Sequence, residues 1–144
     1  MSLSNIFDIA GSAMSAQTIR LNTTASNMAN AESVSSSAGE TYRARKPVFE
    51  LKALDELQPG AVPLGMQAGQ GVNVAGIVES DMPLRQEYSP GHPMADENGY
   101  VYYPNVNVVE EMADMISASR SFQVNAEIMN TAKQMMQRVL TLGQ

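Results

Sequence analysis

The sequence predicts a mainly α protein with a small β middle, its long amino- and carboxy-terminal helices paired antiparallel as a coiled-coil-like hairpin with an irregular β-rich insertion between them. Three observations carry that expectation. All seven prolines fall between Pro47 and Pro104, which leaves both ends free of the residue that breaks helices. At each end apolar or small residues recur at alternating spacings of four and three, the pattern of a coiled-coil seam. The middle instead carries short alternating apolar runs punctuated by proline and glycine.

The tail, residues 107–143, reads as one helix. Its seam runs through Val108, Met112, Met115, Ser119, Phe122, Ala126, Met129, Met136 and Leu140, with Lys133 the one interruption. Asn107 can cap the first turn, and Glu110 three residues on forms a variant of the capping box. Glu111 and Asp114 place negative charge at the positive end of the helix dipole, while Lys133 and Arg138 lie toward the other end. Gly143 stands where a left-handed C-cap is wanted. Such a helix is on the order of 50 Å long, more than a 144-residue domain can wrap. It must project or find partners.

The head repeats the pattern through Leu3, Phe7, Ala10, Met14, Gln17, Leu21, Thr24, Met28 and Ala31, predicting a helix over about residues 4–30 with Ser2 or Ser4 as cap and Gly11 tolerated. Between Asp8 and Glu32 the only charged residue is Arg20. A helix on a monomer's surface normally carries charge on its outer face; small neutral residues suit close packing on several sides. Head and tail can lie side by side only if the chain folds back. In the tail, Ile128, Met135, Val139 and Leu142 widen the apolar surface beyond the seam, and several such side chains left wet would cost several kcal/mol at roughly 25 cal/mol per Å². A second partner surface follows.

Between the helices the Ser-rich residues 33–39 break the first helix. Residues 42–54 alternate Val48, Glu50 and Lys52 against Phe49 and Leu51 as one strand. Residues 57–71 are rich in proline and glycine and predict a flexible loop. A second strand over residues 72–80 carries a bulge at Gly76; Ser89-Pro90-Gly91 makes a turn and residues 100–103 a short strand. The domain division is therefore residues 1–38 with 105–144 as a helical unit, and 39–104 as a small β-rich unit.

Composition excludes several functions. With 44% hydrophobic and 17% charged residues the chain is one ordered domain rather than a disordered one. A net charge of −6 argues against nucleic-acid binding, which needs a positive face. The only basic cluster, Arg43, Arg45 and Lys46, reads as a solvated strand edge or as a contact with an acidic partner. Cysteine is absent, which removes disulfides, thiolate catalysis and Cys-ligated zinc. The amino terminus shows no basic, apolar and cleavable secretory signal. The uncharged run 57–78 is broken by Pro59, Pro63 and glycines, so it is no membrane helix. His92, the single histidine, lies near Asp81, Asp96 and Glu97, and one histidine gives few ligands; a turn residue among solvated acids is the better reading. No metal site, no cofactor and no catalytic constellation is expected. Five methionines between Met112 and Met136 serve core filling or an adaptable interface equally well.

Specific words then stand out. Asn5-Ile-Phe-Asp-Ile-Ala-Gly-Ser-Ala13, Arg20-Leu-Asn22 and Ala25-Ser-Asn-Met-Ala-Asn30 resemble the amino-terminal signature of bacterial flagellar axial proteins. Tyr88-Ser-Pro-Gly-His-Pro-Met-Ala-Asp96, Gly99-Tyr-Val101, Pro104-Asn-Val106, Ser117-Ala-Ser-Arg-Ser-Phe-Gln-Val-Asn125 and Leu140-Thr-Leu-Gly143 are similar to the FlgC family of proximal rod proteins. These words span nearly the whole chain in order. Many axial proteins follow the Asn-x-Ala-Asn word closely with a Gly-Tyr pair; here residues 33–41 precede Tyr42, which favours the FlgC family over distal rod or hook proteins.

The resemblance implies a structural subunit of the flagellar basal-body rod, the drive shaft across the periplasm, exported through the flagellar type III apparatus without a cleaved signal. It implies partners in other rod proteins, further copies of itself, and membrane-ring and rod-adaptor components, with no nucleic acid and no small-molecule substrate. Family members pack their terminal helices into the inner tube of a helical assembly. Beside that, incompletely covered seams supply the expected assembly residues: Leu3, Phe7, Met14, Leu21, Met28, Met112, Met115, Phe122, Met129, Met136 and Leu140. Two other classes stand against it. A secreted coiled-coil adaptor or effector would share the helices, and a peptidoglycan-cutting enzyme would need paired acids, for which Glu79 with Asp81 is the best pair present.

Overall fold

The described residues run from one long helix through four short strands to a longer helix. The computed structural model describes residues 3–52 and 71–142. In order these form α1 (Leu3–Ala29), β1 (Arg45–Leu51), β2 (Val72–Glu79), β3 (Arg85–Tyr88), β4 (Tyr100–Tyr103) and α2 (Val108–Leu142). Gly143, residues 57–70 of the expected loop and the Leu3 side chain lie outside the described residues.

Both helix boundaries follow from local chemistry. Asn107 caps α2: its side-chain oxygen accepts the Val109 N–H at 3.1 Å, and its carbonyl accepts the first helical bond from Glu111 N–H at 3.0 Å. Glu110 corrects the capping-box expectation, because its carboxylate reaches Lys46 Nζ at 2.9 Å rather than turning back to the cap. At the far end of α1, Asn30 donates through its side-chain amide to the Ser26 carbonyl at 2.8 Å. Ser33 donates its hydroxyl to the Asn30 carbonyl at 2.7 Å. These polar side chains satisfy carbonyls that a glycine cap would otherwise serve.

The β middle is two separate antiparallel two-stranded sheets, β1 with β2 and β3 with β4. In the first, Val48 opposes Gly76 and Phe49 opposes Val74, so Ala75 is the extra residue and the expected bulge sits one position from the glycine. β1 is also shorter than the alternation over 42–54 suggested. The strand β3 was not expected; its Arg-Gln-Glu-Tyr sequence is exposed throughout and has no apolar alternation to reveal it. It is placed by cross-strand contacts instead, with Tyr88 edge-on to Tyr100 at 5.3 Å and Arg85 over the Tyr103 ring at 4.4 Å. The turn at Ser89-Pro90-Gly91 forms, closed by the His92 N–H on the Ser89 carbonyl at 3.0 Å.

Two polar ties fix the sheets to the helices. Ser35 exchanges both backbone bonds with Tyr102 at 3.1 Å, and its hydroxyl meets Thr41 Oγ1 at 2.6 Å, so the Ser-rich break is a buried clasp holding β4. At the other sheet, Ser12 on α1 donates to the Ile9 carbonyl at 2.8 Å and accepts the Val72 N–H at 3.1 Å. Gly71 makes this approach possible. Its φ is +116°, and a Cβ there would lie 2.3 Å from Ser12 Oγ. Gly71→Ala is therefore expected to destabilise the chain by about 1–3 kcal/mol, read from urea unfolding; a change below the error of that measurement would show that β2 does not dock rigidly on α1.

The core is small in side-chain size. Among the described residues, the buried apolar positions are Ala10, Ala16, Ala31, Ala44, Val101, Ala118 and Ala132. Only Val101 among these is larger than alanine, with Pro104 buried beside β4. α1 and α2 share the most extensive contact between elements, and where they come closest they meet on alanines and short polar groups. Their order of contact reverses: Asn27 meets Glu111, whereas Arg20, nearer the start of α1, meets Asp114, further along α2. No helix among the described residues is long and apolar enough to cross a membrane.

Candidate assembly surface

Two surfaces are built on α2, an inner one facing α1 and an outer one left to solvent. The inner surface is polar at its start. Asn27 is fully buried and uses all of its hydrogen-bonding capacity. Its amide donates to the Arg45 carbonyl at 2.8 Å and to Glu111 Oε1 at 3.0 Å. Its oxygen accepts the Arg45 N–H at 2.9 Å and the Tyr42 hydroxyl at 2.9 Å. One side chain thus joins α1, the start of β1 and the first turn of α2. Arg20 and Asp114 pair beside it, each about one-third exposed or less.

Further along α2 the inner surface becomes apolar. Ala118 and Ala132 are buried, with Met115, Asn125, Ala126 and Met129 half-buried around them. Glu111, Ala118, Asn125 and Ala132 stand seven apart, one residue earlier than the predicted seam positions Met112, Ser119, Ala126 and Lys133. One residue turns a helix by about 100°, which sends Met112 outward. The fully buried positions of the inner stripe accordingly carry small side chains, Ala118 and Ala132, which let helices pack closely.

The predicted assembly residues accordingly divide. Phe7, Met14, Leu21, Met28, Met115 and Met129 are half-buried. Met112, Phe122, Met136 and Leu140 are exposed. Beside them the outer face of α2 carries Val109, Ile116, Val124, Ile128, Met135 and Val139, all exposed. Val109, Ile116 and Val124 were absent from the sequence reading, although the i, i+3, i+7 spacing of Val109, Met112 and Ile116 is the helical signal for one face. Beyond Ala132 every described side chain of α2 from 133 to 141 is exposed. The helix outruns its partner there.

The outer face of α1 has the opposite character. Its exposed positions are Ser4, Asn5, Asp8, Ser15, Thr18, Asn22, Ala25 and Ala29: short side chains with one charge among them. Such a face allows another helix to approach closely without desolvating lysine or glutamate.

The basic cluster is engaged within the chain. Arg45 pairs with Glu79 at 3.0 Å, Lys46 with Glu110 at 2.9 Å, and Arg43 donates to the Ser80 carbonyl at 3.1 Å. An acidic partner would have to compete with Glu79 and Glu110. The bond to Glu110 holds the Lys46 ammonium above its ordinary value of 10.5, so the stability linked to this lysine's proton is present below that value and is lost as pH rises through the folded one. Glu79, one of the two acids weighed for glycoside cleavage, is thereby tied to Arg45. His92 accepts the Met94 N–H on Nδ1 at 3.1 Å, while Asp96 accepts the N–H groups of Asn98 and Tyr100. Each organises the turn between β3 and β4.

Comparison with known proteins points one way. A family model described as "Flagella basal body rod protein" matches residues 7–34. Another, "Flagellar basal body rod FlgEFG protein C-terminal", matches residues 97–142. The chain is 54% identical over 144 residues to the flagellar basal-body rod protein FlgC of Salmonella typhimurium strain LT2, covering 100% of both chains. It is 53% identical to FlgC of Escherichia coli O157:H7, again over 100% of both. Similarity extends to FlgC of Borreliella burgdorferi, 36% identical over 151 residues with 100% of this chain and 99% of that one covered.

Proposed function

The chain belongs to the flagellar basal-body rod protein FlgC family, and on that premise we propose how its surfaces build a rod. It is a structural subunit of the flagellar basal body, not an enzyme. The rod family implies that it assembles with other rod proteins and with copies of itself.

Assembly proceeds through the terminal helices. One observation carries this reading: of the exposed large apolar side chains among the described residues, ten lie on α2, while the apolar side chains that α2 buries are Ala118 and Ala132. At about 25 cal/mol per Å², covering that face would stabilise an assembly substantially. The short, nearly uncharged outer face of α1 suits a neighbour's α2. The reversed order of contacts between Asn27 and Glu111 and between Arg20 and Asp114 supports the antiparallel, coiled-coil-like hairpin. Within the assembly, Leu3, Phe7, Met14, Leu21, Met28, Met112, Met115, Phe122, Met129, Met136 and Leu140 form contacts between or beneath subunits.

The division of labour follows. Residues 1–38 and 105–144 form the shaft core, and residues 39–104 lie against it as the β-rich unit. Many modest packing contacts then carry torque across the periplasm. The subunit reaches that site through the flagellar type III export apparatus and meets membrane-ring and rod-adaptor components there.

The deciding experiment combines light scattering with amide exchange on the purified chain. Dilute protein is expected to be monomeric, with amides of residues 133–141 exchanging fast, and to polymerise with concentration as those amides become protected. A discrete small oligomer with protected helix ends at every concentration would overturn the reading in favour of a free adaptor.

A further inference from the structure

We infer that the junction of α1, β1 and α2 is a proton-sensitive latch, in which the buried Glu111 carboxyl seats α2 most firmly when it carries a proton. This concerns the fold of the single subunit and stands or falls independently of how subunits assemble.

Glu111 lies on the first turns of α2 and is only 4% exposed. A carboxylate at that depth needs a cation or several donors to offset its lost hydration. The donor seen on its Oε1 is the neutral amide of Asn27, and the Thr24 hydroxyl is at hand. Every cation facing it is already committed. From α1, Arg20 pairs with Asp114; from β1, Lys46 pairs with Glu110 and Arg45 with Glu79. On its own helix, Asp114 repels a further negative charge.

The opposing influences are weaker. The amino-terminal end of α2 favours an anion by a fraction of the cost of burial, and the bond from Asn27, the Lys46 charge and the bond from Thr24 act in the same sense. Burial dominates and pushes the Glu111 carboxyl above its ordinary value of 4.5, with the Asp114 charge adding to it. The sign follows from linkage. A carboxyl raised in the folded state binds its proton more tightly there than in the unfolded chain, so its contribution is complete below pH 4.5 and falls away as pH climbs through the folded value. Protonation costs no contact, because the Asn27 amide still has an acceptor and the Thr24 hydroxyl can turn to accept. Mild acid therefore tightens the joint between the helical pair and β1, and neutral pH loosens it.

The test is thermal unfolding of the full chain between pH 4 and 8, at concentrations where it is monomeric, for wild type, Glu111→Gln and the exposed control Glu87→Gln. Glutamine keeps the shape and hydrogen bonds of the protonated acid. Its melting temperature is expected to match wild type below pH 4.5 and to exceed it by roughly 3 °C at pH 7, with the control running parallel to wild type. Parallel profiles for Glu111→Gln would overturn the latch. Should that variant not fold, carboxyl carbon NMR on the wild type decides: a Glu111 midpoint above that of Glu87 supports the proposal, and one at or below it refutes it.

Discussion

Met136→Asp is expected to abolish rod assembly and swimming while leaving the isolated subunit folded. Met136 is 37% exposed and lies beyond Ala132, the last buried side chain of α2 among those described. In a lone chain, an aspartate there sits in water and should cost no more than about 0.5 kcal/mol. In the proposed assembly a neighbour covers the same position, and an unpaired carboxylate buried without compensation costs several kcal/mol. The penalty recurs in every copy, so a modest loss per contact becomes a complete failure to polymerise. Leu21→Asp on α1 should be equally non-motile, but because Leu21 is half-buried it should also lower the melting temperature of the monomer. Swarm diameter, electron microscopy of extracted basal bodies and circular dichroism of purified protein separate the two effects. A motile Met136→Asp strain with normal rods would remove that end of α2 from the assembly surface.

The helices were readable because their signals are local and repeated. The alternating spacing and the absence of proline fixed α1 and α2 to within one or two residues, and Asn107 marks the start of α2 by a contact only a few residues long. What the spacing did not reveal is which of two adjacent stripes faces inward. Hydrophobicity ranks Met112 above Ala118 for burial, yet Ala118 is buried and Met112 exposed, because a stripe that packs against another helix favours small residues. The expected seam was therefore rotated on α2 at half of its positions.

Polar contacts were the harder part. Asn27 was visible as one letter of a family word, and nothing in its neighbourhood announces that it joins Arg45, Tyr42 and Glu111 across 84 positions of sequence. Glu111 was read as a helix-start charge, a role that any exposed acid in a first turn could fill; its burial comes from the packing of β1 and α1 over it. Likewise β3 carries no apolar alternation, because a strand exposed on both faces has no reason to alternate. Residues buried by distant parts of the chain leave little trace in local pattern.

Asn27→Leu is expected to destabilise the chain by about 3–4 kcal/mol, a large fraction of the total stability of a domain this size. The substitution keeps the branching and the number of heavy atoms and removes four bonds together. The Arg45 N–H and carbonyl lose their partner at the first residue of β1, the Tyr42 hydroxyl loses its acceptor, and Glu111 loses the donor that is its principal compensation for burial. Each buried group left unsatisfied costs about 1–3 kcal/mol, reduced where water can follow. Asn27→Asp separates geometry from charge: it retains the acceptor for Arg45 and Tyr42 but places a second carboxylate against Glu111. It should be nearly as damaging at pH 7 and recover part of its stability as the pH falls and one of the two acids takes up a proton. Urea unfolding at pH 5 and pH 7 measures both. A loss below 1 kcal/mol for Asn27→Leu would mean that the alanine contacts between α1 and α2 hold the fold without this junction, and the polar side chain would then be a passenger in the interface it occupies.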